Sequence, residues 1–295
     1  MPKQLILDTN IFYDLGAGSL TRSDIGDPGD TFWYSPLSVL EIAGKWSSRT
    51  FAARKAAANA ILVSGAKELP DQDTYLTRDL FSYSIRRPPV VLTDAVKAMA
   101  NSREMDSLVS GVLDFAERAV RRVSVDKVQK WRDVIEGKWV DDMLSIQRRE
   151  IPRFEAWYKP DPTARKQRIP RLTGRQKKTF LDNTKTTAWN LTLVVNLHHR
   201  ALMGARRVES AAVPPMEAAS TVSKAITSLS CYCGVYTQYL IRLLVDGALA
   251  EPNDSGDLEL FIYAVDDDHI VVTSEKKWKR IADAAGFGNR VRLVS

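Results

Sequence analysis

Short apolar runs lie near both ends of this chain, and each is followed by a longer pattern with helical spacing. Residues Lys3 to Asp8 contain three consecutive aliphatic side chains, Leu5 to Leu7. Thr31 to Tyr34 and His269 to Thr273 are equally short and rich in β-branched or aromatic residues. Runs of this kind are typical of strands that are covered on both faces, as in a parallel sheet. The pattern therefore predicts an α/β fold with strands at both ends of the chain.

Two of these strands end next to a carboxylate. Asp8 closes the first strand, and Glu275 lies just past the end of the third. Ligands of parallel sheets gather beyond the carboxyl ends of the strands, so both side chains are candidate ligands. A structural role is open for each, because Asp8 can cap a helix over Ile11 to Leu15, and Glu275 can belong to the first turn of a helix over Lys276 to Ala285.

A third carboxylate lies on a helix that follows the second strand. Ser35 is a candidate N-cap with Pro36 at the first helical position, and the helix continues over Leu37 to Trp46. Glu41 falls on the apolar face of this helix, which it shares with Leu37, Leu40 and Gly44. An ionised carboxylate is rarely buried without a cation or a donor beside it, so Glu41 is a candidate ligand. The alternative is that Glu41 reaches water at the edge of the face or pairs with Lys45.

The fourth carboxylate, Asp257, opens a helical pattern whose apolar face holds Leu258, Phe261, Ile262 and Val265. Asp266 to Asp268 then forms a turn before the third strand. A helix of about nine residues advances about 13 Å, and a strand of about five residues returns about 16 Å. Asp257 and Glu275 are therefore expected at the same edge of the sheet, although Asp257 alone can also be a helix cap.

These segments resemble the motifs of the PIN domain nucleases. The resemblance rests on four stretches of sequence, which are LILDTN ending at Asn10, SPLSVLE ending at Glu41, DLELFIYA starting at Asp257 and IVVTSE ending at Glu275. It covers about residues 1–67 and 250–295. It implies a PIN-like three-layer α/β/α fold with a central parallel sheet, and a nuclease that uses divalent metal to cut RNA.

Carried over position by position, the resemblance puts four acidic residues in the catalytic metal site: Asp8, Glu41, Asp257 and Glu275. It implies that four polar neighbours orient the carboxylates or water: Thr9, Asn10, Ser38 and Thr273. Glu275 departs from the family pattern, in which Asp is commoner at this position. Its longer side chain can still reach a metal, directly or through water.

A cluster of four carboxylates favours a metal on chemical grounds as well. Clustered carboxylates repel one another, and some of them bind protons unless a cation is present. Oxygen ligands select Mg²⁺ or Mn²⁺ rather than zinc. One or two such ions can activate water and stabilise the charge that develops during phosphodiester hydrolysis, so no covalent nucleophile is required. The sequence thus favours a metal-dependent endoribonuclease with Asp8 as the expected bridging ligand.

Two other functions are open. The first is a PIN-like RNA-binding or scaffold protein without catalytic activity, although all four candidate positions are acidic. The second is a phosphatase of the haloacid dehalogenase type, which also begins with Asp at a strand end. That mechanism needs a second Asp two residues later, where this chain has Asn10.

Positive charge is concentrated between Ile151 and Ser210. The whole chain has 42 Lys and Arg against 36 Asp and Glu, whereas this segment has 13 basic and 4 acidic residues. It can bind the phosphates of RNA or single-stranded DNA without sequence preference, or it can be a solvated surface. The candidate phosphate contacts are Arg175, Lys177, Lys178 and Lys185, together with Lys276 and Lys277 beside Glu275. Candidates for stacking on unpaired bases are Trp157, Tyr158 and Trp189.

The middle of the chain is predicted to be a large all-helical insertion over residues 68–249, which splits a PIN-like core formed by residues 1–67 and 250–295. A strong helical pattern covers residues 51–66, and the later helical patterns are Thr93 to Asn101, Glu104 to Val120, Asp126 to Arg149, Thr186 to Met203 and Met216 to Ala248. The insertion is expected to cover the sheet edge and to shape substrate choice.

The remaining features predict a cytoplasmic protein. Cys231 and Cys233 are too close for an ordinary disulfide and too few for a zinc site, so they are expected to be buried thiols in a reducing compartment. Neither a signal peptide nor a membrane span is predicted. Asp266 to His269 looks like a ligand cluster but is interpreted as a solvated turn at the far end of the strand from Glu275. An inhibitory protein partner and a homo-oligomer are both open.

Overall fold

The central element of the fold is a five-stranded sheet in which all strands are parallel. The computed structural model describes residues 2–43, 48–82, 92–103, 173–198, 200–201, 215–246 and 254–294. The strands are β1 Gln4–Leu7, β2 Thr31–Tyr34, β3 Lys67–Glu68, β4 His269–Thr273 and β5 Val291–Leu293, in the spatial order β3-β2-β1-β4-β5. The predicted α/β class with a parallel sheet is therefore confirmed, and β2 and β4 have the predicted bounds.

The register of the three central strands brings their carboxyl ends level with one another. Leu7, the last residue of β1, is aligned with Tyr34 of β2 on one side and with Val272 of β4 on the other. The backbone N–H of Asp8 continues the ladder and donates to the carbonyl of Val272 at 3.0 Å. Residues that follow β1, β2 and β4 therefore emerge at one edge of the sheet.

Helices cover both faces of this sheet. In chain order they are α1 Thr9–Ala17, α2 Arg22–Ile25, α3 Pro36–Ala43, α4 Ser48–Val63, α5 Gln72–Thr74, α6 Thr93–Asn101, α7 Gly174–Asn190, α8 Pro215–Ala225, α9 Ser230–Ile241, α10 Asp254–Leu260 and α11 Lys276–Ala284. Wider π-helical turns follow three of them, at Tyr75–Leu80, Leu191–His198 and Arg242–Asp246. Within the described residues, no helix is both long enough and apolar enough to cross a membrane.

Successive side chains along the strands pack alternately into two separate hydrophobic cores. Ile6 and Val271 lie in one core, which also contains side chains of α8, α9 and α11. Leu5, Leu7 and Val272 lie in the other core, which contains side chains of α1, α3, α4 and α6. This alternation follows from the period of two along a strand. Helices that lie between residues 68 and 249 thus pack into both cores, α6 into one and α8 and α9 into the other.

Local capping explains where two of the helices begin. The Ser35 hydroxyl accepts a hydrogen bond from the N–H of Ser38 at 3.2 Å, so α3 begins at Pro36 as predicted. Helix α7 begins at Gly174, twelve residues before the predicted start at Thr186, because Thr173 and Gln176 form a capping box.

Of the other predicted helices, one is interrupted in the structure and two cannot be compared with it. The pattern over Met216 to Ala248 is interrupted, because a turn separates α8 from α9. The predicted helices Glu104 to Val120 and Asp126 to Arg149 lie outside the described residues.

The packing of α1 against α4 depends on Gly16. A Cβ atom at this position would lie 2.6 Å from the backbone carbonyl carbon of Ala56, which is closer than any real contact allows. A Cβ atom at the exposed Gly29 would meet nothing within 4 Å. The two glycines therefore form a matched pair for testing this close approach.

We expect Gly16→Ala to lower the free energy of unfolding by about 1–3 kcal/mol, because overpacking forces α1 and α4 apart and outweighs the gain of about 1 kcal/mol in helix propensity. Gly29→Ala should leave the free energy of unfolding within about 0.5 kcal/mol of the wild-type value. Urea denaturation of both variants measures the difference. Equal stability of the two variants would contradict the described packing of α1 on α4.

Candidate metal centre

Asp8 is buried at the junction of β1 and α1. Its residue surface is 3 % exposed, and it occupies the N-cap position of α1. The side chain makes no well-aligned capping hydrogen bond; instead, its Oδ2 atom accepts from the Thr273 hydroxyl at 2.8 Å. The carboxylate therefore faces the end of β4, and it also interacts with the backbone N–H groups of Thr9 and Asn10 at the start of α1.

Thr273 joins two of the candidate ligands. Its hydroxyl donates to Asp8 and accepts from the backbone N–H of Glu275 at 3.0 Å. Nδ2 of Asn10 donates to the Glu275 carboxylate at 3.3 Å. The turn after β4 thus presents Glu275 at the same edge as Asp8, since both residues follow the carboxyl ends of neighbouring parallel strands.

Glu41 reaches the edge from α3. The Thr9 hydroxyl donates to its Oε2 atom, and Oε1 lies 3.1 Å from the position that a Cβ would take at Gly256. Both oxygens therefore face protein atoms, although part of the residue surface remains exposed. The guanidinium of Arg54 donates to the carbonyls of Glu41 and Ile42, each at 2.7 Å, and fixes this end of α3. Lys45, the alternative partner of Glu41, lies outside the described residues.

Asp257 reaches the site from α10. The described helix begins at Asp254, so Asp257 lies inside its first turn and is not the N-cap. The residue is 7 % exposed, and its Oδ2 atom accepts from the indole N–H of Trp278 at 2.9 Å. Gly256 allows the close approach of α10 to α3, since a Cβ there would also lie 2.9 Å from a methyl group of Leu37.

Burial and mutual repulsion raise the pKa values of three of these carboxyl groups. Burial raises the pKa of Asp8 to about 6, with a further contribution from Glu275, while the Thr273 hydroxyl opposes the shift. Burial also raises the pKa of Glu41 to about 7 and that of Asp257 to about 9. For both groups, repulsion from the other carboxylates adds to the effect of burial. The four acidic side chains are therefore close enough to interact electrostatically.

No three of the four candidate ligands, all of them described, have ligand atoms that lie mutually within 4.8 Å. In the described part of the chain, the one group of three His, Cys, Asp or Glu residues with ligand atoms mutually within 4.8 Å is Asp266, Asp268 and His269. An ion at the sheet edge therefore has to draw Asp8, Glu41, Asp257 and Glu275 inward. Repulsion between unneutralised carboxylates is a physical reason for the wider spacing.

The cluster formed by Asp266, Asp268 and His269 lies at the opposite end of β4. Nδ1 of His269 lies 3.1 Å from the Asp268 carboxylate, while the side chains of Asp266 and Asp268 are 74 % and 46 % exposed. These residues form the turn that the sequence predicts before β4. Exposed acidic groups of this kind are common without an ion.

Three of the four predicted polar neighbours contact the candidate ligands. Thr9 binds Glu41, Asn10 binds Glu275 and Thr273 binds Asp8. Ser38 instead pairs with Ser35, with their hydroxyl oxygens 3.3 Å apart. The residues that the sequence analysis missed are Trp278, Arg54 and Gly256, because nothing in their local pattern distinguishes them from an ordinary core aromatic, surface cation or helix residue.

Basic side chains lie beside the site and on a separate helix. Nζ of Lys277 binds Asp254 and lies 3.7 Å from the Glu275 carboxylate, while Lys276 is exposed. The buried Asp254 also accepts from the Tyr239 hydroxyl at 2.9 Å. The other predicted phosphate contacts, all exposed on α7, are Arg175, Lys177, Lys178 and Lys185. Trp189 is 37 % exposed, and Trp157 and Tyr158 lie outside the described residues.

Comparison with known proteins gives no match for this chain among protein-family models, curated proteins or solved structures. The chemistry of the site therefore rests on its own geometry. The donors at the sheet edge are carboxylate oxygens, and the surrounding donors of hydrogen bonds are neutral hydroxyl, amide and indole groups. This set fits a hard divalent cation such as Mg²⁺ or Mn²⁺.

The raised pKa values fix the sign of the pH dependence in the absence of metal. Asp8, Glu41 and Asp257 each bind a proton more tightly in the folded chain than in the unfolded chain, where carboxyl pKa values are about 4. Their contribution to stability is full below about pH 4 and is lost as the pH rises toward about 9, where Asp257 ionises. We expect the stability measured in EDTA to fall over this range.

Asp257→Asn should remove much of this loss, because asparagine can accept the Trp278 hydrogen bond without carrying a charge. In EDTA at about pH 8 we expect the variant to be more stable than wild type by on the order of 2 kcal/mol, with the difference closing toward about pH 4. Urea denaturation across the pH range measures it, with Asp182→Asn at an exposed carboxyl group of α7 as the control. A variant that is less stable than wild type at about pH 8 would contradict the raised pKa of Asp257.

Proposed function

We propose that this chain is a divalent-metal-dependent endoribonuclease with a PIN-like core. One observation carries the proposal: carboxylates from four separate segments meet at the carboxyl edge of a parallel sheet, and three of them have raised pKa values. Carboxyl groups that are buried together without cations lower the stability of the fold, whereas they are well suited to bind a divalent ion. Perturbed groups of this kind cluster at functional sites.

The four stretches that resemble the PIN motifs support the same proposal. Each stretch coincides with an element that delivers a carboxylate to this edge: β1 and the start of α1, the helix α3, the helix α10, and β4 with its following turn. The candidate ligands would hold one or two Mg²⁺ or Mn²⁺ ions. When bound, such an ion supplies the Lewis acidity that activates water and stabilises charge on a phosphate.

The chain's own residues would orient these ligands. Thr273 holds Asp8 and the turn of Glu275, and Trp278 holds Asp257. Lys277 has its ammonium 3.7 Å from the Glu275 carboxylate, where it would attract a phosphate. The proton of Asp257 would be released on metal binding, because only the ionised carboxylate is a good ligand.

The residue after Thr9 does not support the phosphatase alternative, because that mechanism needs an Asp at this position. Asn10 takes the place of the second Asp, and its amide donates to Glu275 rather than acting as an acid or base. We place the nuclease in the cytoplasm, because the buried Cys231 and Cys233 are both free thiols. An inactive RNA-binding scaffold remains as the outcome that the following experiment would reveal.

Asp8→Asn should lower metal-dependent cleavage by more than about 100-fold, since loss of a ligand costs at least as much as loss of a supporting residue. The assay uses a mixed pool of labelled RNA and single-stranded DNA with Mg²⁺, Mn²⁺ or EDTA. Asp268→Asn, which removes an acid from the opposite end of β4, is the matched control and should retain activity. Circular dichroism verifies that both variants are folded.

Cleavage by Asp8→Asn at the wild-type rate would reject the proposed site. Loss of cleavage in Asp268→Asn alone would move the centre to the turn before β4. Absence of cleavage by wild type with either metal, together with salt-sensitive binding of RNA, would favour the scaffold.

A further inference from the structure

A groove with a cavity volume of about 390 Å³ lies between α9 and α11, and we call it the α9–α11 groove. Its lining residues come from both helices and from the first π-helical residue after α9: Gln238, Arg242, Lys277, Arg280, Ile281 and Ala284. Three of the six side chains are cationic, and none of the described lining residues is acidic. The groove therefore favours an anionic occupant.

Two of these cations are available to such an occupant. Arg280 is exposed and Arg242 is partly exposed, and neither forms an ion pair with a described residue. Lys277 differs, because its ammonium binds the buried Asp254. A guanidinium presents several N–H donors in a planar fork that matches a phosphate. Arg242 and Arg280 can thus bind phosphate oxygens without first breaking a salt bridge to a described residue.

The other lining residues suit a ligand that is apolar as well as anionic. Ile281 and Ala284 add aliphatic surface, and Gln238 adds an amide that can both donate and accept hydrogen bonds. A nucleotide combines an anionic phosphate, a sugar and a base with an apolar face. The volume is near the lower end of the range of about 300–1,000 Å³ that is typical of small-molecule pockets, so it suits one nucleotide rather than a duplex.

Lys277 links the groove to the candidate metal centre. The Lys277 side chain lines the groove, and its Nζ atom lies 3.7 Å from the Glu275 carboxylate. On the other side, α7 packs against α9 and against the segment that begins at Arg242. The exposed cations of α7 therefore belong to the same helical layer as the groove.

We propose that the α9–α11 groove binds an unpaired nucleotide of a single-stranded nucleic acid, beside the phosphate that reaches the carboxylates. The proposal rests on the proposed function and adds its substrate class. A base can enter a cavity between two helices only when it is not stacked and paired inside a duplex. Single strands are therefore preferred over duplexes, and the strand leaves the site along α9 and α11.

The test compares two variants that each remove two positive charges. Arg242→Gln/Arg280→Gln changes the groove, and Lys97→Gln/Lys224→Gln changes exposed lysines on α6 and α8, away from its lining. Binding of a short labelled single-stranded RNA, the corresponding DNA and the RNA duplex is measured by fluorescence anisotropy over a series of NaCl concentrations. All measurements are made in EDTA, so that binding is separated from cleavage.

We expect the groove variant to bind the single-stranded RNA about tenfold more weakly at low salt, and the slope of log K against log salt to become shallower by about 1.4, which corresponds to two phosphate contacts. The control variant should stay within about twofold of wild type, as expected for surface charges outside the contact area. Wild type should bind the single strand more tightly than the duplex. The DNA arm determines whether the groove distinguishes the two sugars.

Equal affinity and equal salt slope for the groove variant and its control would overturn the proposal. Tighter binding of the RNA duplex than of the single-stranded RNA by wild type would overturn it too. Groove-dependent binding of single strands without cleavage under any metal would support the groove and reject the nuclease. Metal-dependent cleavage by wild type, together with a groove variant that binds single strands as tightly as wild type does, would support the nuclease and reject the groove.

Discussion

Burying carboxyl groups next to one another costs free energy, and the carboxyl edge of this sheet carries four carboxyl groups, of which Asp8 and Asp257 are buried and Glu41 and Glu275 are partly exposed. The costs appear as raised pKa values for Asp8, Glu41 and Asp257, which result from burial first and from mutual repulsion second. The groups that hold them are neutral donors, namely the hydroxyls of Thr9 and Thr273 and the indole of Trp278. Such donors fix the direction of a carboxylate without neutralising it. The edge is consequently oriented by hydrogen bonds and left with a charge that protons or a divalent cation can balance.

The topology explains how segments so distant in sequence reach this edge. The central strand β1 lies between β2 and β4, and the register makes all three end at one level. Each strand is then followed by a residue or helix of the candidate site, while α10 approaches α3 closely because Gly256 has no side chain. The helices of both faces hold this arrangement in two separate cores. A groove lies beside it and is lined by Arg242 and Arg280, which form no ion pair within the described part of the chain.

Most of the sheet could be predicted from the sequence, and part of the site could not. The bounds of β2 and β4 follow from short apolar runs, and the start of α3 follows from Ser35 and Pro36. The strands β3 and β5 have two and three residues, which is too short for any periodic signal. The start of α7 was missed because its first turns are polar, so that only the capping box marks them. The support of Asp257 by Trp278 depends on a contact through space, which no local pattern records.

The most direct test of a metal centre at this edge is the number of protons released when Mn²⁺ binds. Isothermal titration calorimetry in two buffers of different ionisation enthalpy measures both the binding and the proton release. At about pH 7 we expect wild type and Asp268→Asn to bind Mn²⁺ and to release protons from the carboxyl groups with raised pKa values, whereas Asp257→Asn should bind weakly and release fewer. Absence of binding by wild type would contradict the account. Binding that survives in Asp257→Asn but is lost in Asp268→Asn would contradict it as well, because it would place the ion at the other end of β4.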